Sequence, residues 1–191
     1  MRKATYGLMA IVAVGLAVWG GRTFSAQDKY TLQVPNGLAF SEFRGYEDWQ
    51  TIAVSQTEAS KVLRVILGNP AMINAFREGI PGNGKPFPDG ATMAKIVWKQ
   101  KELTTPPFSA STPDTVPDTL EDVEFMVKDS KRFADSGGWG WGVFEYDPAS
   151  RTFRPGTLAD KPPQANDAKC GLACHTIVKG NDFVFTAYAM R

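Results

Sequence analysis

"ATMAKIVWK", Ala91 to Lys99, reads as a β-strand with a charge set where none is expected. Alternation puts Ala91, Met93, Lys95, Val97 and Lys99 on one face and Thr92, Ala94, Ile96 and Trp98 on the other. Both faces are largely apolar around Lys95. Burying an unpaired ammonium is costly, so such a lysine is paired, neutral, or snorkels to water from an edge strand. Arg64 poses the same question within "KVLRVIL" (Lys61 to Leu67). A guanidinium keeps its charge, so a buried one is normally paired or aimed at a polar cavity.

Upstream, "ASKVLRVIL" from Ala59 to Leu67 predicts a strand that ends at Gly68. Asn69 then offers an N-cap and Pro70 suits the first turn, so "NPAMINAFREG" predicts a short helix stopped by Gly79. The Gly- and Pro-dense stretch from Gly79 to Gly90 is loop by composition. Downstream, "TTPPFSASTPDTVPDT" from Thr104 to Thr119 is expected to be a linker loop. "EDVEFMVKDSKRFADSGG" reads as a strand passing into a helix or loop, and "WGWGVFEYD" as a further strand. No internal repeat is present. The expected fold class is α+β: a mostly antiparallel β-sheet with a few short helices, in one domain.

With 191 residues, 43% of them hydrophobic, the chain can bury one real core and is too short for two comfortable domains. Its 21 basic and 20 acidic residues are spread evenly, which excludes a nucleic-acid footprint or a membrane-surface patch. Residues 1–26 differ in kind. Arg2 and Lys3 precede the unbroken apolar run "LMAIVAVGLAVW" from Leu8 to Trp19, a signal-peptide pattern with cleavage near Ser25 or Ala26. An uncleaved anchor is the alternative. On either reading the domain at 27–191 is exported, to a compartment where thiols meet oxidants and c-type haem is attached.

"KCGLACHT", Lys169 to Thr176, holds both cysteines and the single histidine. A c-type haem site normally reads C-x-x-C-H, whereas three residues separate Cys170 from Cys174 here. A Cys170–Cys174 disulfide would close a very small loop and leave His175 unexplained. A zinc site needs four ligands, and the cluster supplies three, with Asp182 a distant fourth. A thioredoxin-like pair needs C-x-x-C. Haem attachment needs two thiols and an adjacent imidazole, and the adjacency of Cys174 and His175 is the stringent part. The extra residue can be absorbed if the segment bulges. No second histidine exists, so a bound iron is expected to be five-coordinate with an open face, suited to binding or transforming small molecules. The aromatic stretch "DFVFTAYAMR" is expected to wall whatever the cluster binds.

The chain resembles the cytochrome P-460 family over nearly all of the mature domain. The resemblance is carried by "LRVILGNP" (Leu63 to Pro70), "FPDGATMAK" (Phe87 to Lys95), "VKDSKRFA" (Val127 to Ala134), "GGWGW" (Gly137 to Trp141), "ACHT" (Ala173 to Thr176) and "DFVFT" (Asp182 to Thr186). It implies a periplasmic, homodimeric, mostly β, mono-haem cytochrome with haem c attached through Cys170 and Cys174 and the iron bound by His175. It further implies a bond from the Lys95 side-chain nitrogen to the porphyrin rim, and it places the family's distal arginine on Arg64, which would hydrogen-bond iron-bound nitrogen ligands. The implied activity is oxidation of hydroxylamine to nitrous oxide or nitrite, with electrons passed to another periplasmic cytochrome. The alternative is a non-catalytic cytochrome of the c-prime-beta type that binds nitric oxide or transfers electrons. A haem-free exported β domain with a small disulfide is a third reading. Two departures from the pattern stand out. The three-residue spacer Gly171-Leu172-Ala173 is one residue longer than is usual for the family, and the distal carboxylate of its catalytic members has no clear counterpart, with Asp160, Asp167 and Glu145 as candidates.

Overall fold

Each strand of this chain turns back on the one before it. In the computed structural model, which describes residues 27–34, 37–57, 59–107, 111, 114–156 and 171–189, six strands form one antiparallel sheet in the order β1-β2-β3-β4-β5-β6. They are β1 (Gln50–Thr57), β2 (Val62–Gly68), β3 (Thr92–Leu103), β4 (Asp114–Lys128), β5 (Trp139–Asp147) and β6 (Thr152–Pro155). Helix is sparse: α1 (Pro70–Arg77), the single turn α2 (Leu172–His175) and short 3-10 segments. The α+β expectation therefore holds in its β part, with helices serving only as covers and connectors.

The predicted linker at 104–119 is corrected. β4 begins at Asp114, and Pro117 lies opposite Gln100 of β3. A proline in a strand needs an open N–H side. β4 supplies one, because its pairing with β5 starts only at Asp122.

Register divides the sheet into two covered faces. On one, Leu67, Ala94 and Phe125 lie in a row beneath the N-terminal 3-10 turns Phe40–Phe43 and Tyr46–Asp48. Phe43 stacks on Phe125 with centroids 3.8 Å apart and an interplanar angle of 4°. Burying each such side chain contributes about 1.5–3 kcal/mol.

The other face carries the rows Gly68, Met93, Met126, Trp141 and Ile66, Lys95, Glu124, Val143, and then Arg64, Val97, Asp122, Glu145. α1 covers part of it with Met72, Ile73 and Ala75. Asn69 caps α1 as expected: its side-chain oxygen accepts from the Met72 N–H at 2.9 Å and from the Thr92 N–H at 3.1 Å, tying the helix start to β3. The uncovered remainder of this face is where the charged rows lie. The segment from α2 to Ala189 closes over it without joining the sheet.

Candidate functional site

His175 ends α2, its N–H bonded to the Gly171 carbonyl at 2.9 Å. Its ring stands between Trp141, at 5.4 Å, and Phe185, at 4.9 Å. The Nδ1 lies 2.6 Å from the Phe183 carbonyl oxygen. A carbonyl only accepts, so this partner assigns the proton to Nδ1 and leaves the Nε2 lone pair free. Burial lowers the pKa of the ring below its ordinary value, keeping it neutral. A neutral imidazole oriented through Nδ1–H is what a metal ligand requires.

A cavity of about 580 Å³ opens between this segment and the charged sheet face, within the roughly 300–1,000 Å³ typical of cofactor clefts. Arg64, Lys95, Cys174 and His175, singled out in separate parts of the sequence, all line it. Ile66, Met93, Val143 and Phe185 supply apolar walls, and of the expected aromatic wall from Asp182 onward it is Phe185 that faces the cavity, while the Phe183 ring packs against Trp141 and Gly137. A larger hollow of about 740 Å³, lined by Phe76, Arg77, Ile80 and Tyr188 among others, contains neither thiol nor imidazole.

Lys95 is neither an edge residue nor unpaired. It sits on a central strand, and its ammonium forms an ion pair with Glu124, its direct neighbour on β4. Arg64 donates to the Thr57 hydroxyl on β1. Two residues from Glu124, on the same face, burial and then the neighbouring Glu124 charge push the Asp122 carboxyl up to about 7, with Lys95 opposing. The Asp122 Oδ1 is fully buried and accepts no hydrogen bond.

Asp122 and Glu124 were not among the residues singled out from the sequence. Alternation of Asp122, Glu124 and Met126 with Val123, Phe125 and Val127 is the signal that finds them. Glu145 does line the cavity, but its carboxylate is paired with Arg154 at 2.7 Å. Asp160, Asp167, Cys170 and the whole of residues 1–26 lie outside the described residues. Asp182 is not a metal ligand in waiting: its carboxylate pairs with Lys128 at 2.8 Å, and the described residues contain no cluster of three or more Cys, His, Asp or Glu able to hold an ion.

The residues present fit a haem c. Nε2 of His175 would take the iron, the Cys174 thiol on the cavity wall would take one vinyl group, and the apolar walls would receive the ring. A cleft of this size, with a free imidazole nitrogen beside an exposed thiol, is that of a c-type haem domain on an antiparallel sheet. The family model for cytochrome P460 matches residues 43–186, and the chain belongs to that family. No curated protein matches it. Membership makes the protein a c-type haem cytochrome of a family associated with oxidoreductase activity.

Proposed function

We propose that this cytochrome oxidises hydroxylamine at a five-coordinate haem. The observation that carries the reading is the half-buried Asp122 carboxyl, pushed up to about 7 and with its Oδ1 buried without a hydrogen-bond partner, in the cavity that His175, Lys95 and Arg64 also line. Oxidising an N-hydroxy amine releases protons with its electrons, and a base poised near neutral pH is suited to take them. The haem, when bound, supplies an iron centre that accepts electrons.

The chain's own groups do the rest. His175, oriented through its Nδ1–H, would hold the iron through Nε2. The Arg64 guanidinium orients the oxygen of the bound amine, and Asp122 takes up protons at Oδ1. Lys95, at mid-strand on the cavity wall, is the residue to which the family resemblance assigns a bond with the porphyrin rim. The signal-peptide pattern supports a periplasmic setting, and the family resemblance supports a homodimer that passes electrons to another periplasmic cytochrome. The gas-binding alternative drew its strength from the lack of an assignable carboxylate, and Asp122 removes that support.

Hydroxylamine-dependent reduction of an electron acceptor tests the reading. Asp122→Asn is expected to keep the haem absorption and to slow turnover by about 10²–10⁴-fold, the range for loss of a general base. Full turnover in that variant would remove Asp122 from the mechanism. Nitric oxide binding without hydroxylamine turnover in the unmodified protein would favour the c-prime-beta reading.

A further inference from the structure

We propose that Lys128 and Asp182 are positioning residues for the axial histidine: their buried ion pair anchors the turn whose Phe183 carbonyl receives the His175 Nδ1–H. The inference rests on His175 being the iron ligand and is independent of hydroxylamine being the substrate.

Lys128, the last residue of β4, is only 5% exposed. Its Nζ reaches the Asp182 Oδ1 at 2.8 Å, the Asp182 Oδ2 at 3.0 Å and the Gly137 carbonyl at 3.0 Å, and it lies 5.0 Å from the centre of the Trp139 ring. An ammonium has three protons to donate, and these contacts account for them. The Asp182 Oδ2 also accepts from the Phe87 N–H at 2.8 Å. One carboxylate is thus fixed to β4 and to the loop before β3 at once.

What it fixes is an uncommon piece of backbone. Asp182 has φ 49° and ψ 45°, and Phe183 has φ 65°, two successive non-glycine residues in the left-handed region. Such a turn persists only where its surroundings over-determine it. The Phe183 ring supplies a second clamp. It is buried against Gly137, where a Cβ would fall 2.3 Å from the ring, so only glycine admits it. Between the carboxylate on one side and the ring on the other stands the Phe183 carbonyl, 2.6 Å from His175 Nδ1.

An apolar pair could hold the fold as well, since a buried ion pair is often no better than hydrophobic residues of similar volume. What the charged pair adds is direction. Partners behind a ligating imidazole orient the ring and raise its basicity, and their loss typically weakens the metal bond 10–100-fold.

The test is resonance Raman spectroscopy and redox titration of the haem-loaded full chain. Asp182→Asn removes the charge but keeps a side chain tolerant of the left-handed turn. The double variant Lys128→Met with Asp182→Leu removes the anchor without stranding a charge. Both are expected to lower the ferrous iron–histidine stretching frequency. Both are also expected to raise the reduction potential, by about 60–120 mV if a 10–100-fold loss of imidazole affinity falls on the ferric state. Asp89→Asn, which breaks only the exposed contacts to Ser130, is expected to change neither. Wild-type frequency and potential in both haem-loaded variants would overturn the proposal and leave the pair a fold-supporting contact. Absence of an iron–histidine band in the unmodified protein would overturn the ligation reading first, and this one with it.

Discussion

Lys95 and Glu124 stand directly opposite each other on β3 and β4, and their side chains close an ion pair on the cavity wall. The pair sets the terms for any bond from Lys95 to a porphyrin. A nucleophilic amine must be neutral, and the carboxylate nearest its proton belongs to Glu124.

On the proposed Lys95–porphyrin bond, Lys95→Ala is expected to retain haem while yielding no lysine–porphyrin peptide in a tryptic digest, with an ordinary high-spin absorption spectrum. Glu124→Gln keeps Lys95 but removes the adjacent proton acceptor, and should lower the cross-linked fraction at equal haem content. Mass spectrometry reads both. A cross-link yield in Glu124→Gln equal to that of the unmodified protein would separate Glu124 from the chemistry.

Asp122 gives a pH dependence with a definite sign. Its carboxyl is pushed up to about 7 in the folded protein, against about 3.9 in an unfolded chain. Between these values the native state binds more protons than the unfolded one, so the contribution of this group to stability falls as pH rises through that window. Asp122→Asn is expected to be more stable than the unmodified protein at pH 8, by on the order of 1–3 kcal/mol, and nearly equal to it at pH 4. Urea unfolding at the two pH values measures the difference.

Breaking the Lys128–Asp182 pair from one side differs from breaking a surface pair. Lys128→Ala leaves a carboxylate buried without its partner and is expected to cost about 3–5 kcal/mol. Arg132→Ala removes an exposed pair with Glu42 and is expected to cost about 0–1 kcal/mol. Equal losses in chemical denaturation would mean that the buried pair is better solvated than its surroundings indicate.

Gly171, the first residue of the unusual spacer, lies against Trp141, where a Cβ would come 2.3 Å from the indole. Gly171→Ala therefore has to displace either α2 or a side chain that touches His175. It is expected to destabilise the fold by about 1–3 kcal/mol, as overpacking does, and to lower haem incorporation. Haem content per chain, measured after expression with the attachment machinery, tests this.

The parts of this fold that were legible in the sequence are those where local chemistry and tertiary role agree. Asn69-Pro70 announces α1 because cap and first-turn preferences are satisfied within a few residues. Lys95 and Arg64 drew attention because charges among aliphatics need a cavity or a partner, and the structure supplies both. β1 was not singled out: its "QTIAVSQT" keeps most of one side in water and carries few apolar residues to show a period. The start of β4 looked like a linker because Pro117 and its flanking threonines are turn formers, and only the long partner strand β3 makes them extended. Asp122 and Glu124 were hidden by their neighbours. In "EDVEF" the alternation puts Asp122 and Glu124 on one face, and register with Lys95 shows that this face is the inward one.

The meander has a consequence for how the protein matures. Every strand pairs with its neighbour in the chain, so no strand waits for a partner from a distant part of the sequence, a topology that favours rapid assembly. The segment bearing Cys174 and His175 belongs to no strand, and its thiol is exposed. Closing the sheet therefore asks nothing of the attachment segment, whose thiol stays open to solvent above a wall that the six strands build by themselves.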